Sequence, residues 1–112
     1  MRVEDAIRIR HMIDAAELAL EFVGGRARAD LDRDNMLRFA LVQAIQVVGE
    51  AASKVSPECC LDLPAVPWLA IRGMRNRLVH AYFDIETDLL WATVQKDLPD
   101  LLAHLNVLDL PD

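Results

Sequence analysis

Asn35-Met36-Leu37-Arg38-Phe39-Ala40-Leu41-Val42-Gln43-Ala44-Ile45-Gln46-Val47-Val48-Gly49-Glu50-Ala51-Ala52-Ser53-Lys54-Val55 is the stretch that decides the fold class. Almost everything on it is apolar except a stripe of Gln43, Gln46, Glu50 and Ser53. Those polar residues recur at intervals of three and four, the period of a helix rather than of a strand. A helix that is apolar over most of its circumference must pack on several sides, so it belongs inside a bundle.

The flanking sequence has the same period. Ala6, Ile9, Ile13, Ala16, Leu20 and Val23 form the apolar stripe of a first helix from Val3 to Val23, which Gly24-Gly25 ends. The polar segment from Arg26 to Asp34 has room for a short helical turn. Beyond the central helix, Pro57, Pro64 and Pro67 mark a short connection. A third helix is expected from Pro67 to Phe83, with Pro67 suited to its first turn. A turn follows over Asp84 to Thr87. A last helix is expected from Asp88 to Leu108, its stripe being Leu90, Val94, Leu101, Leu105 and Leu108, with Pro99 kinking or restarting it. There is no internal repeat and no strand-like alternation. The expectation is an all-α, up-and-down bundle of four to five helices, with residues 1–112 as a single domain.

Composition narrows the functional classes. No apolar run approaches the ~20 residues of a membrane span, and Met1-Arg2-Val3-Glu4-Asp5 lacks the apolar stretch of a signal peptide. A cytoplasmic location without membrane contact is expected. Cys59 and Cys60 are adjacent, with Cα atoms ~3.8 Å apart, too close for an ordinary disulfide, and no matching cluster suggests a metal. The net charge is −6, which disfavours strong non-specific binding to nucleic acid. The excess acid is confined to the end of the chain: from Asp84 onward seven acids face Lys96 alone, whereas residues 1–83 balance. Between Ile71 and Phe83 there are three arginines and no acid.

That arginine-bearing segment carries the candidate chemistry. On a helix, Ile71, Met74, Leu78 and Tyr82 would form an apolar stripe, and Arg75 would fall inside it. An arginine there is costly unless something pairs with it; it is either a structural or snorkelling residue or a functional one. Glu50 could pair with it, or simply be exposed. Leu69, Gly73, Asn76 and His80 would line the opposite side, Gly73 leaving room for another backbone and Asn76 orienting the His80 ring. His80 is either an ordinary satisfied histidine or an acid–base group. Arg75 and His80 lie roughly 140° apart on an ideal helix. They meet only if the helix breaks between them or a second subunit completes the site. Arg72 and Arg77 could track nucleic-acid phosphates or be solvated charges. His11 and His104 read as surface residues, and Trp68 and Trp91 as core anchors.

Arg75-Asn76-Arg77-Leu78-Val79-His80-Ala81-Tyr82 matches the R-x4-H-x-Y motif of the HepT-like HEPN toxins. Arg8-Ile9-Arg10-His11-Met12, Val48-Gly49-Glu50-Ala51-Ala52, Pro67-Trp68, Gly73-Met74-Arg75-Asn76 and Asp97-Leu98-Pro99 extend the resemblance over nearly the whole chain. The resemblance implies a helical homodimer with two R-x4-H motifs in an interfacial cleft. It implies a metal-independent endoribonuclease needing no cofactor, with Arg75 and His80 as catalytic residues and Asn76 in support. It further implies a toxin–antitoxin module whose MNT-type nucleotidyltransferase antitoxin attaches AMP to Tyr82. The alternative is a non-catalytic HEPN subunit that binds nucleotide or RNA for such a nucleotidyltransferase. The residue types suit RNA cleavage, since histidine can move the proton of the 2′-hydroxyl and arginine can hold phosphate oxygens.

Overall fold

The computed structural model describes residues 1–81 and 84–112, and it is mostly helical. Helix α1 spans Val3–Phe22 and α3 spans Asn35–Ser53, and the two form the principal packed pair. The short α2, Asp30–Arg33, fills the polar connection between them. The α1 stripe is buried through Ala6, Ile9, Met12, Ala16 and Ala19, and α3 meets it through Leu41, Ile45 and Val48. Asp34 caps α3 by accepting the Leu37 N–H at 3.0 Å, which satisfies one of the free donors of the first turn.

The connection after α3 is more ordered than its prolines suggest. Pro57–Asp62 forms α4, opened by Pro57 and capped by Ser56, whose hydroxyl accepts the Cys59 N–H at 3.2 Å. The same Ser56 ties α4 to the start of the chain. Its N–H and hydroxyl donate to the two carboxylate oxygens of Asp5 at 2.8 and 2.7 Å, and Asp5 is 3% exposed. Trp68 is buried, its indole N–H donating to the Leu63 carbonyl at 3.1 Å; Trp91 is half-buried.

The expected third helix does not run unbroken. It is α5, Trp68–Arg72, then Gly73, then α6, Met74–Leu78. At Val79 the backbone turns extended, with φ −124° and ψ 115°. Val79–Ala81 forms strand β1, paired antiparallel with β2, Asp84–Ile85, where a turn was expected. Val79 pairs with Ile85 and Ala81 with Asp84, the register shifting between them, and the Glu86 N–H donates to the Leu78 carbonyl at 2.8 Å. The physical reason for the correction is the hairpin pairing, which local periodicity does not encode. The β-branched Val79 suits extended backbone and pairs with Ile85 six residues downstream, and the Glu86 N–H takes the Leu78 carbonyl that a longer helix would have used.

The last helix is nearly as expected. Thr87–Ala92 forms α7, Thr93–Asp97 is a π-helical turn, and Leu98–Leu105 forms α8. Pro99 has no N–H and its ring would clash with a regular helical carbonyl, so the wider turn before it accommodates the ring without ending the helix. Leu90, Val94, Leu98 and Leu105 are fully buried against the α1–α3 pair. Arg28 donates to Asp88 at 2.7 Å and to the Thr87 hydroxyl at 2.9 Å, linking the segment just before α2 to the start of α7. The chain is thus an all-α bundle with one small hairpin, and among the described residues no helix is long and apolar enough to cross a membrane.

Candidate active site

The break after α6 decides the site. Arg75 lies on α6 beside the buried Met74 and Leu78 and is itself half-buried. Its Nε is shielded from solvent and has no hydrogen-bond partner among the described residues. Its Nη1 donates to Asn76 Oδ1 at 3.4 Å. The guanidinium is therefore held by packing and one long neutral contact, with no carboxylate among the described residues within ion-pair distance. A cation held in this way is free to meet an incoming anion.

Two clefts share Arg75. The larger, about 430 Å³, is walled by Gln46, Gly49, Glu50 and Ser53 of α3 and by Arg72, Arg75 and Asn76. The smaller, about 310 Å³, is lined by Arg75, Val79, His80 and Ala81. Because α6 ends at Leu78 and β1 begins at once, Arg75 and His80 border one recess within a single chain. Gly49 explains how α3 comes so close. A Cβ there would lie 3.2 Å from the Ile71 carbonyl oxygen and 3.5 Å from that of Arg72. Gly73, expected to admit a neighbouring backbone, has no such close neighbour within the chain; it marks the junction of α5 and α6.

His80 is exposed, and its Nε2 lies 2.9 Å from Glu86 Oε1. The Glu86 carboxylate raises the ring's pKa above its ordinary value, first through this hydrogen bond and then through its charge, with Asp84 adding a smaller pull in the same direction. Asn76 was expected to orient the ring from one helical turn away. The helix ends before His80, so Asn76 meets Arg75 and Glu86 holds the ring. Glu86 escaped the sequence reading because its relation to His80 exists only in the hairpin. The available signal was a carboxylate placed shortly after a valine and aromatic run of strand-forming type.

The remaining candidates separate. Arg72 borders the larger cleft, and its Nη2 lies 3.3 Å from Cys60 Sγ. Arg77 lies on another side, in a groove of about 290 Å³ with Asp97, Asp100 and His104. Glu50 is exposed and accepts from Gln46 Nε2 at 3.0 Å. His11 and His104 are exposed. Tyr82 lies outside the described residues. No three His, Cys, Asp or Glu side chains among the described residues are grouped to hold a metal ion.

A family model described as ribonuclease HepT-like matches residues 12–108, which takes in α1 from Met12, both clefts and most of the C-terminal helix. The chain belongs to the HepT-like family. "Putative RNase TTE0752" of Caldanaerobacter subterraneus subsp. tengcongensis is 32% identical over 93 residues, 83% of each chain. "Probable ribonuclease HepT" of Thermococcus cleftensis is 32% identical over 93 residues, 83% of this chain and 84% of that one. "Putative RNase MJ1380" of Methanocaldococcus jannaschii is 29% identical over 96 residues, 86% and 88% of the two chains. No solved structure gives a significant match. In this HepT-like chain, then, the R-x4-H segment is a helix end followed by a hairpin, and the motif's arginine and histidine border one recess.

Proposed function

We propose that this chain is a metal-independent endoribonuclease, the toxin of a toxin–antitoxin pair, with Arg75 and His80 as its catalytic residues. The observation that carries the reading is the recess shared by His80 and an Arg75 whose Nε has no partner among the described residues. RNA supplies its own nucleophile. The 2′-oxygen bonds to phosphorus as its proton departs, the bond from phosphorus to the 5′-oxygen breaks, and that oxygen takes up a proton. The products are a 2′,3′-cyclic phosphate and a 5′-hydroxyl. His80 moves a proton as general base or acid, and Arg75 binds the phosphate oxygens whose charge grows in the transition state. Asn76 steadies the guanidinium, and Arg72 holds a neighbouring phosphate across the larger cleft. Arg77, in its acid-lined groove, is a weaker candidate for RNA.

A twofold dimer through the Arg75–His80 segment would bring two such recesses together and form a longer track for RNA. The same reading makes Tyr82 the residue to which an MNT-type nucleotidyltransferase attaches AMP, the added phosphate and adenosine competing for the arginine and filling the cleft. The test is cleavage of a mixed RNA by the full chain and by Arg75→Ala and His80→Ala, with light scattering for the dimer and intact mass after incubation with the neighbouring nucleotidyltransferase and ATP. Cleavage that both substitutions reduce supports the catalytic reading. RNA binding without cleavage by the wild type would favour the non-catalytic HEPN subunit instead. AMP addition that survives Tyr82→Phe would remove the proposed control.

A further inference from the structure

The ring of His80 has two nitrogens, and the fold treats them differently. Glu86 sits immediately after β2, and its backbone N–H is fixed to the Leu78 carbonyl at 2.8 Å. That bond and the pairing of Val79 with Ile85 set the position of Glu86 relative to β1. Its carboxylate is thereby presented to His80 Nε2 at 2.9 Å, and Nδ1 has no partner among the described residues. A carboxylate accepts only, so a hydrogen bond at that distance places the proton on Nε2.

We propose that Glu86 is the positioning residue of His80: it holds the Nε2–H, so that Nδ1 is the nitrogen that exchanges a proton with RNA. The proposal rests on the ribonuclease reading for its second half only, because the Glu86–His80 pair exists without substrate. The charged groups around the ring decide the direction of transfer. Glu86 and Asp84 on the hairpin favour the imidazolium, while loss of solvent around the ring opposes it; Arg75 is the cation that borders the same recess. The two carboxylates prevail, and the ring's affinity for its proton is raised. His80 is then the general acid. Its Nδ1–H goes to the departing 5′-oxygen as the bond from phosphorus to that oxygen breaks. The 2′-hydroxyl loses its proton to water as its oxygen bonds to phosphorus. Water then reprotonates Nδ1, so the protons balance over a turnover.

The experiment separates charge from geometry with two substitutions of an exposed side chain. Both leave the Glu86 backbone N–H and its bond to Leu78 in place. Glu86→Gln keeps an acceptor for Nε2–H and removes the charge; Glu86→Ala removes both. Nitrogen-15 chemical shifts of the free full-length protein report tautomer and titration of His80. The wild type is expected to carry its proton on Nε2 and to titrate above the ordinary histidine value. Glu86→Gln should keep the tautomer and lower the titration point, and Glu86→Ala should mix the tautomers. An unchanged tautomer in Glu86→Ala, or an unchanged titration in Glu86→Gln, overturns the proposal. In cleavage assays the falling limb of the pH–rate profile should move to lower pH in Glu86→Gln. The rate above that limb should drop about tenfold for each pH unit moved, while the rates converge at low pH. A limb that rises with pH at the His80 titration point would make the ring a base and overturn the acid assignment. If the wild type cuts no RNA at all, the ribonuclease reading fails, and the spectroscopic arm still decides the Glu86–His80 pair.

Discussion

Arg75→Met should leave the protein at least as stable as the wild type while removing activity. The magnitude follows from the shielded Nε. A polar N–H buried without a partner costs about 1–3 kcal/mol, and this one has none among the described residues. Methionine keeps an apolar stem of comparable length beside the buried Met74 and Leu78 and brings no donor to desolvate. The head group of Arg75 loses only a 3.4 Å contact to the exposed Asn76, which is worth little. The net expectation is a gain of about 1 kcal/mol, or roughly 4 °C in Tm for a domain of this size. Removing one preorganised donor from a transition-state site should cost roughly 10²–10³-fold in rate. Urea unfolding gives the first quantity and RNA cleavage the second. A loss of stability above about 1 kcal/mol would show that Arg75 is a structural residue, and the reasoning from its unpaired nitrogen would be refuted.

Two further substitutions probe what holds the site in place. Gly49→Val adds side-chain atoms where even a Cβ would sit 3.2 Å from the Ile71 carbonyl, so it should cost about 1–3 kcal/mol in urea unfolding and lower cleavage by displacing α5 and α6. Asp5→Ala strands the Ser56 N–H and hydroxyl and should cost about 1.5–3 kcal/mol. Burial pushes the Asp5 carboxyl up, but the two Ser56 hydrogen bonds, helped by Arg2 and the N-terminus, hold it below its ordinary 3.8. The stabilisation is therefore present above that value and lost as pH falls through the lower folded value, so the gap between wild type and variant should shrink below about pH 4.

The bundle was legible because its long helices bury faces with an uninterrupted helical period. Ala6, Ile9 and Ala16 on α1 and the apolar bulk of α3 required helical partners whatever the loops did. Arg75 was legible for the same reason, as a charge at an apolar position. The segment after it was not. Ile71, Met74 and Leu78 are buried as a helical stripe predicts, and Tyr82 continues the pattern in sequence, so periodicity carried the helix past its real end. The exit at Val79 is set by pairing with Ile85, a tertiary choice that local spacing does not encode. Glu86 was hidden with it, since a side chain can be matched to His80 only after the strand register is known. At Pro99 the expected kink is a π-helical turn, the wider form of the same response to a missing N–H.

The central claim is that Arg75 and His80 cleave RNA through its own 2′-hydroxyl. The most direct measurement is end-group analysis of RNA fragments produced in the presence of EDTA by the wild type and by His80→Ala. The account predicts 2′,3′-cyclic phosphate and 5′-hydroxyl ends from the wild type, and a rate roughly 10²–10⁴-fold lower from His80→Ala. Fragments with 5′-phosphate ends, cleavage abolished by the chelator, or an unimpaired His80→Ala would contradict it.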